Sequence, residues 1–218
     1  MIKRIIDLTI SSILLLLFLP LMLLIAIAIA CTMGTPVIFR QQRPGLRGRL
    51  FTMCKFRSMT NERDSNGELL PDSERLTPIG QFLNKTRLDE IPEFYNVLKG
   101  DMSIVGPRPL LADFLEMYTP KQARRHNVRP GLTGLAQVTD ISHMPISKKL
   151  ELDTQYADNQ SLWLDFKIMM ATIPKVIGSR GVDPYPASIE KIDDLGFSSQ
   201  GKLKLQGQKG GSRPGDEG

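Results

Sequence analysis

The hydrophobic residues of this chain are concentrated near its N-terminus. Residues 10–30 form a nearly continuous apolar run, whereas the rest of the chain is polar and basic. As a helix, this run is about 30 Å long at 1.5 Å per residue, which matches the hydrocarbon core of a bilayer. The pattern therefore predicts a membrane helix within residues 1–35, followed by a folded domain.

Three interpretations of the apolar run compete. A signal peptide would use Lys3 and Arg4 as its basic start and residues 28–30 as its cleavage site, but the run is longer than a usual signal core. The second interpretation is a simple transmembrane anchor. The third is a re-entrant helix-break-helix, because Pro20 removes a helix hydrogen bond and kinks the backbone. The positive-inside rule keeps basic flanks cytoplasmic, which favours the third, since cations also follow the run at Arg40, Arg43, Arg47 and Arg49.

An acidic residue, Asp7, lies next to the apolar run. A carboxylate is costly in lipid unless it is paired, and Lys3 and Arg4 are the cations about one helical turn away. We therefore expect Asp7 to pair with one of them. Lys3, Arg4, Asp7 and Pro20 are the residues predicted to govern anchoring.

After Gly34 the pattern indicates short strands and helices. Residues 36–39 and 50–56 are typical of two strands joined by a loop rich in Arg, Gly and Pro, which predicts a β-hairpin. In the second strand, Lys55 and Arg57 project to one face, which either binds an anion or is solvated. Residues 61–74 are polar and predict a surface loop.

Two helices are predicted from their starts. Thr77 caps the first, with Pro78 in its first turn. Asp89 is expected to cap the second, with Pro92 in its first turn, and that helix runs to Gly100. The positive helix end would favour an ionised Asp89 and create a phosphate site. The alternative is that Asp89 is only a cap.

Two later segments also carry candidate chemistry. Pro107 and Pro109 stiffen the backbone around Arg108, whose guanidinium suits bidentate phosphate binding. Arg129 opens the turn-rich segment 129–137, whose glycines either admit a ligand or form a tight loop.

The last predicted helix, residues 161–177, has a 3.6-residue apolar period and Trp163 with flanking lysines. It is either an interfacial helix lying on the membrane or a core helix. The expected fold is α+β and mainly helical: a membrane helix, a catalytic domain over residues 36–186, and a partly disordered tail over residues 187–218.

Composition narrows the candidate partners. The net charge of +5 favours anionic partners such as phosphates and lipid head groups. Nucleic acid is not expected, because aromatic residues do not alternate with the cations. Cys31 and Cys54 are interpreted as free thiols, and the two histidines, His126 and His143, do not make a zinc site.

Together these segments resemble the bacterial sugar transferase family, the monotopic polyprenol-phosphate phosphoglycosyl transferases. The resemblance covers residues 1 to about 180 and rests on many motifs in order. The motifs are Lys3-Arg4 with Asp7, Gln42 to Gly45, Lys55 to Met59, Thr77 to Gly80, Leu88 to Glu90, Asn96 to Pro109, and Arg129 to Gln137. The chain departs from the family at Leu19-Pro20, where many members carry Ser-Pro.

The resemblance implies a reaction and a location. Asp89 is expected to attack the sugar-bearing phosphate of a UDP-sugar, releasing UMP and leaving a phosphosugar on the enzyme. Polyprenol (undecaprenyl) phosphate then takes the phosphosugar, which is the first membrane step of bacterial polysaccharide, O-antigen or glycoprotein assembly. The resemblance also implies a re-entrant membrane segment and an active site at the cytoplasmic face of the inner membrane, in contact with membrane lipids.

Roles for individual residues follow from the resemblance and from their chemistry. Asp89 and Glu90 are the expected Mg²⁺ ligands, and whether Glu90 serves the metal or the lipid phosphate is left open. The expected phosphate-binding residues are Lys55, Arg87, Arg108 and Arg129. The rival hypothesis is a non-enzymatic membrane scaffold, and the sequence leaves open a homodimer and the identity of the sugar.

Overall fold

The structure is a computed structural model that describes residues 1–139, 144–178 and 193–196. Its α-helices are α1 (Ile2–Met33), α2 (Asp72–Arg75), α3 (Pro78–Thr86), α4 (Glu93–Lys99), α5 (Pro120–Ala123), α6 (Leu135–Val138), α7 (Ile146–Asp158) and α8 (Leu162–Gly178). Its strands are β1 (Ile38–Pro44), β2 (Leu50–Phe56), β3 (Ser103–Val105) and β4 (Gly131–Thr133). Short 3₁₀ helices span Leu46–Gly48, Leu88–Glu90, Ala112–Met117 and Arg124–Asn127. The mainly helical α+β prediction is confirmed. His143 and most of the predicted tail lie outside the described residues.

Helix α1 contains the predicted membrane segment. Within the described part of the chain it is the one helix long and apolar enough to cross a membrane. It is continuous over 32 residues, with Pro20 inside it, and is about 48 Å long. The helix therefore continues through Pro20, although Pro20 has no amide hydrogen and one helical hydrogen bond is missing there. The re-entrant course stays a prediction.

The start of α1 is fixed to the folded domain by its polar residues. The Asp7 carboxylate accepts hydrogen bonds from Ser103 Oγ at 2.8 Å and from the Ile104 amide at 3.1 Å. The expected pairing of Asp7 with Lys3 or Arg4 is therefore wrong, because each of those cations has another partner. Asp7 is buried, and its partners on β3 satisfy both carboxylate oxygens.

The two cations of α1 bind other parts of the domain. Lys3 Nζ lies 2.7 Å from Asp165 Oδ2 of α8 and 3.1 Å from the Val105 carbonyl of β3. Arg4 donates to the carbonyls of Val97 and Leu98 at the end of α4. A cation at this position is favourable because the C-terminal end of a helix carries partial negative charge.

The far end of α1 also packs on the domain. Ile25 and Ile29 are buried in a cluster with Phe56 of β2 and Leu83 of α3. Between these two docked ends, α1 exposes large apolar side chains such as Leu16, Leu17 and Leu23. Both ends of the apolar helix therefore contact one folded domain, whereas one side of its middle is exposed.

The predicted β-hairpin is present. Strands β1 and β2 pair antiparallel, with Phe39 opposite Lys55 and Pro44 opposite Leu50. The first strand begins later and runs further than the sequence suggested, since the loop narrows to the 3₁₀ turn Leu46–Gly48. Asn96 of α4 holds the hairpin by bonding the backbone of Thr52 and Cys54.

A second, parallel pair of strands was not predicted. Ser103 of β3 lies opposite Gly131 of β4, and Val105 lies opposite Thr133. A Cβ on Gly106 would collide with the Arg129 carbonyl. The glycines of this region therefore let two backbone segments approach each other, rather than a ligand.

The predicted helix starts are partly confirmed. Thr77 caps α3 by accepting a hydrogen bond from the Gly80 amide at 3.0 Å.

Residues 61–74 are almost entirely exposed, as expected for a surface loop.

Helix α8 confirms the helix predicted over residues 161–177, and its two faces differ in burial. One face is buried through Asp165 and Ile168, and Ile168 belongs to the main hydrophobic core. The opposite face exposes large apolar side chains, and Trp163 is 64% exposed. The exposed apolar residues of this helix are Leu162, Trp163, Phe166, Met170, Ile173 and Val176. Such a face is typical of a helix that lies on a lipid surface.

Candidate active site

Asp89 lies in the 3₁₀ turn Leu88–Glu90, between α3 and α4. Helix α4 begins at Glu93, with Pro92 as its N-cap and no capping side chain. The expectation that Asp89 caps α4 is therefore wrong. Pro92 supplies the helix start, because its fixed φ suits this position. The turn instead presents the Asp89 side chain to a group of charged residues.

Glu90 lies at the centre of this charged group. Its Oε1 is 2.6 Å from Arg108 Nη2, 3.0 Å from Lys55 Nζ and 3.3 Å from Arg87 Nη1. Lys55 Nζ also lies 3.9 Å from Asp89 Oδ2. The structure thus brings together five of the six predicted catalytic and phosphate-binding residues.

Asp89 is a buried carboxylate, 8% exposed. Burial raises the pKa of Asp89 to about 6, with a further rise from Glu90 that Lys55 and Arg108 only partly oppose. The expectation that a helix end favours the ionised form is overturned, since burial dominates. Asp89 Oδ1 is also buried and has no hydrogen-bond partner among the described residues.

Glu90 has the opposite electrostatic environment. Burial disfavours its charge, but Arg108, Lys55 and Arg87 outweigh burial and hold the pKa of Glu90 below its usual range. Glu90 in turn raises the pKa of Arg108. The two adjacent carboxyls therefore differ: Glu90 is firmly ionised, whereas Asp89 titrates close to neutral pH.

Glu93 is a site residue that the sequence analysis missed. It is buried, and its Oε1 lies 3.1 Å from Lys55 Nζ. Burial raises the pKa of Glu93, although Lys55 opposes this. Its spacing of three residues from Glu90 and four from Asp89 is a signal that could have found it, since such positions are neighbours on a helical surface.

Two of the predicted cations, Arg57 and Arg129, lie outside the charged group around Glu90. Arg57 does not share the role of Lys55: its guanidinium donates to the Met59 and Met33 carbonyls, beyond the end of β2. Arg129 Nε donates to the Gly100 carbonyl at 2.8 Å. The contacts of Arg129 therefore lie at the end of α4, near Arg4. Its phosphate-binding role stays a prediction without support from these contacts.

The loop that carries Arg108 is held by residues of other elements. Arg125 Nη2 donates to the Arg108 carbonyl at 2.6 Å, and Arg43 Nη1 lies 3.4 Å from the Pro109 carbonyl. Burial and the charge of Arg108 lower the pKa of Arg43 to about 10. Neither Arg43 nor Arg125 was predicted as a site residue, because their neighbours are far away in sequence.

The site has oxygen ligands that suit Mg²⁺. Asp89 supplies a buried carboxylate oxygen that lacks a partner, and Mg²⁺ in proteins commonly takes one or two carboxylates plus water and substrate oxygens. Glu90 is less free to bind a metal, because its Oε1 already faces three cations. No group of three or more metal-ligating side chains was found in the described part of the chain. The arrangement therefore fits a metal that is shared with a substrate.

The chemistry of the site follows from these contacts. Lys55, Arg87 and Arg108 form a basic surface for a phosphate or diphosphate, and arginines suit such groups through paired N–H donors. Next to them lies a carboxylate with a free oxygen, which can act as a nucleophile when the attacked phosphate is neutralised. Phosphoryl transfer is the reaction class that uses both features.

Comparison with known proteins identifies the family of the chain. Residues 1–179 match the family described as bacterial sugar transferase. The chain is 51% identical over 180 residues to a protein named uncharacterized sugar transferase EpsL of Bacillus subtilis (strain 168). The aligned region covers 83% of this chain and 89% of that protein. It is 37% identical over 198 residues to the exopolysaccharide production protein ExoY of Rhizobium meliloti (strain 1021), covering 83% and 88%.

A longer relative is named for its reaction. The chain is 41% identical over 184 residues to the UDP-glucose:undecaprenyl-phosphate glucose-1-phosphate transferase of Klebsiella pneumoniae, covering 79% of this chain and 39% of that protein. The chain thus spans about two fifths of this relative and about nine tenths of EpsL. Since the family match covers most of the chain, from the apolar helix through α8, the chain belongs to the bacterial sugar transferase family, a family of transferases.

Proposed function

We propose that this protein transfers a sugar 1-phosphate from a UDP-sugar to undecaprenyl phosphate or a related polyprenol phosphate. The Klebsiella pneumoniae relative is named for such a reaction, with glucose as the sugar. The observation that carries the proposal is the buried Asp89 carboxylate, with a free oxygen, next to Lys55 and Arg108. A non-enzymatic scaffold gives no reason to bury such a carboxylate among cations.

Two displacements at the same phosphorus complete the reaction. Asp89 attacks the sugar-bearing phosphorus of the UDP-sugar, the bond to the second phosphate breaks, and UMP leaves. An oxygen of the polyprenol phosphate then attacks the same phosphorus and breaks its bond to Asp89. The product is a polyprenol diphosphate sugar, and the carboxylate is regenerated.

The neighbours of Asp89 stabilise the charge that moves in these steps. Arg108 and Lys55 lie where they can bind the phosphate oxygens, and Arg87 lies at the more exposed edge. Glu90 holds these three cations in place through its Oε1. Asp89 would hold a Mg²⁺ ion, which would supply charge neutralisation for the diphosphate.

The membrane arrangement is part of the proposal. Both ends of α1 dock on the same domain, which supports a re-entrant course with both ends on the cytoplasmic side. The exposed apolar face of α8 would lie on the same membrane surface, because Lys3 of α1 binds Asp165 of α8. The active site is then placed at the cytoplasmic face of the inner membrane, where a lipid phosphate is within reach.

A panel of UDP-sugars tests the proposed activity. Purified protein in detergent or nanodiscs is given each UDP-sugar with Mg²⁺ and undecaprenyl phosphate, and UMP release is measured. We expect one or a few sugars to give UMP and a lipid-linked sugar phosphate, and Asp89→Asn to give neither. Release of no UMP from any UDP-sugar, or normal turnover by Asp89→Asn, would contradict the proposal.

A further inference from the structure

Among the described residues, Arg125 is the most deeply buried cation outside the carboxylate cluster. It lies in the 3₁₀ turn Arg124–Asn127 and is 2% exposed. Its Nη2 lies 2.6 Å from Asp153 Oδ2 of α7, and its Nη1 donates to Tyr118 Oη at 3.1 Å. The same Nη2 donates to the backbone carbonyl of Arg108 at 2.6 Å. One guanidinium therefore joins α7 to the loop that carries Arg108.

The residues on either side of Arg108 are held through their carbonyls: the Gly131 amide donates to the Pro107 carbonyl at 3.0 Å, and Arg43 Nη1 lies 3.4 Å from the Pro109 carbonyl. Pro107 and Pro109 lack amide hydrogens, so the residues on either side of Arg108 cannot donate backbone hydrogen bonds. The hydrogen bond from Arg125 to the Arg108 carbonyl therefore restrains the loop backbone at Arg108 itself. At the other end of the residue, the guanidinium lies 2.6 Å from Glu90 Oε1. Any shift of this carbonyl moves the guanidinium relative to Glu90 and to a bound phosphate.

A purely stabilising role does not explain the choice of residue. A buried ion pair is weak support for a fold, because well-packed apolar residues of similar size often do as well. A lysine at position 125 would keep the charge opposite Asp153. Only a planar guanidinium offers several fixed N–H groups, which here bind a carboxylate, a phenol and a carbonyl at once.

We propose that Arg125 is the positioning residue for Arg108. By binding the Arg108 carbonyl, Arg125 determines the position of the Arg108 guanidinium relative to Glu90 and the substrate phosphate. Asp153 in turn holds Arg125 through its own ion pair with it. The inference rests on the proposed function for its kinetic consequence. Its structural part, the restraint of residues 106–109 by Arg125, does not depend on any substrate.

Kinetics of Arg125→Lys test the proposal. We expect kcat to fall about 10²-fold, as for a catalytic group displaced by about 1 Å, with KM changed less than about threefold. Because Arg125 acts through Arg108, the double variant Arg108→Ala/Arg125→Lys should be no slower than Arg108→Ala. The matched control is Arg124→Lys. Arg124 is the neighbouring arginine and pairs with Asp158, which lies on α7 as Asp153 does, and Arg124 is more exposed than Arg125. It should keep the wild-type rate.

A second variant separates positioning from folding. Arg125→Met/Asp153→Leu replaces the buried pair with apolar side chains and should fold, yet it cannot bind the Arg108 carbonyl. We expect it to melt near the wild-type temperature and to lose activity like Arg125→Lys. Wild-type kcat in either folded variant, or additive losses in the double variant with Arg108→Ala, would overturn the proposal.

Hydrogen exchange tests the restraint without any turnover. Peptides covering residues 103–111 should exchange faster in Arg125→Lys than in the wild type or in Arg124→Lys. If no UDP-sugar releases UMP, the proposed function fails, and faster exchange still supports the restraint. Unchanged exchange in Arg125→Lys would overturn the restraint even if the enzyme proves active.

Discussion

At the scale of single residues, Asp89 is held in a state that costs stability. Burial raises its pKa to about 6, from 3.8 in an unfolded chain. Below pH 3.8 both states are protonated. Between these values the folded state binds more protons than the unfolded state, so stability falls as pH rises through this range. At pH 8 the folded protein carries a buried charge that the proposed chemistry needs and the fold does not.

Asp89→Asn should therefore stabilise the protein. At pH 8 without divalent cations we expect its free energy of unfolding to exceed that of the wild type by about 3 kcal/mol, from a shift of about two pKa units at about 1.4 kcal/mol each. At pH 5 the gain should be about half as large, because this pH lies between the two pKa values and only part of the pH-dependent loss of stability has occurred. Urea unfolding at both pH values measures this.

The matched control is Asp113→Asn, at an exposed carboxylate in a 3₁₀ helix. It should leave the free energy of unfolding within about 0.5 kcal/mol of the wild type at both pH values. An Asp89→Asn protein that is less stable than the wild type at pH 8 would show that the charge of Asp89 supports the fold.

The sequence was sufficient to find residues that lie in motifs, but not those defined by distant partners. Asp89, Glu90 and Arg108 were predicted from local patterns and the family resemblance, and the structure brings them together. Arg125 was missed because its partner Asp153 is 28 residues away. The raised pKa of Asp89 could not be predicted from the sequence either, because its burial depends on the packing of the whole domain.

At the scale of elements, the first two turns of α1 belong to the folded domain. Asp7 binds Ser103 and Ile104 of β3, and Lys3 binds the Val105 carbonyl that follows. Strand β3 leads directly into the Arg108 loop. The membrane helix therefore supports the backbone that carries a candidate phosphate ligand.

Asp7→Ala should loosen this junction. It leaves Ser103 Oγ and the buried Ile104 amide without an acceptor, which costs about 2–4 kcal/mol of unfolding free energy. Urea unfolding in detergent measures the loss, and hydrogen exchange should become faster in β3. Thr9→Ala, at an exposed position of the same helix, is the control and should change little. Equal stability of Asp7→Ala and the wild type would contradict the assigned role of this carboxylate.

Local elements were more predictable than pairings between them. The hairpin β1–β2 and helix α8 follow from residue patterns over short windows. The parallel pair β3–β4 could not be found this way, because each strand has three residues and the partners lie 28 residues apart. The course of α1 through Pro20 also depends on packing, since Ile25 and Ile29 dock beyond the proline.

At the scale of the whole molecule, the docking of both ends of α1 predicts their topology. In a Cys31→Ser/Cys54→Ala background, single cysteines at Ile2 and Arg40 should be labelled from the same side of the membrane. A cysteine at Leu17, whose side chain is exposed in the middle of the helix, should resist aqueous reagents because lipid covers it. Labelling of intact cells and of inverted vesicles measures this. Labelling of Ile2→Cys and Arg40→Cys from opposite sides would establish a transmembrane span.

The proposed function depends above all on a covalent intermediate on Asp89. The most direct measurement is mass spectrometry of the purified protein after incubation with Mg²⁺ and an accepted UDP-sugar, without polyprenol phosphate, followed by acid quenching. We predict that the peptide containing Asp89 gains the mass of one sugar phosphate, in proportion to the UMP released, and loses it when polyprenol phosphate is added. UMP and lipid product formed without any modified Asp89 peptide would contradict the claim.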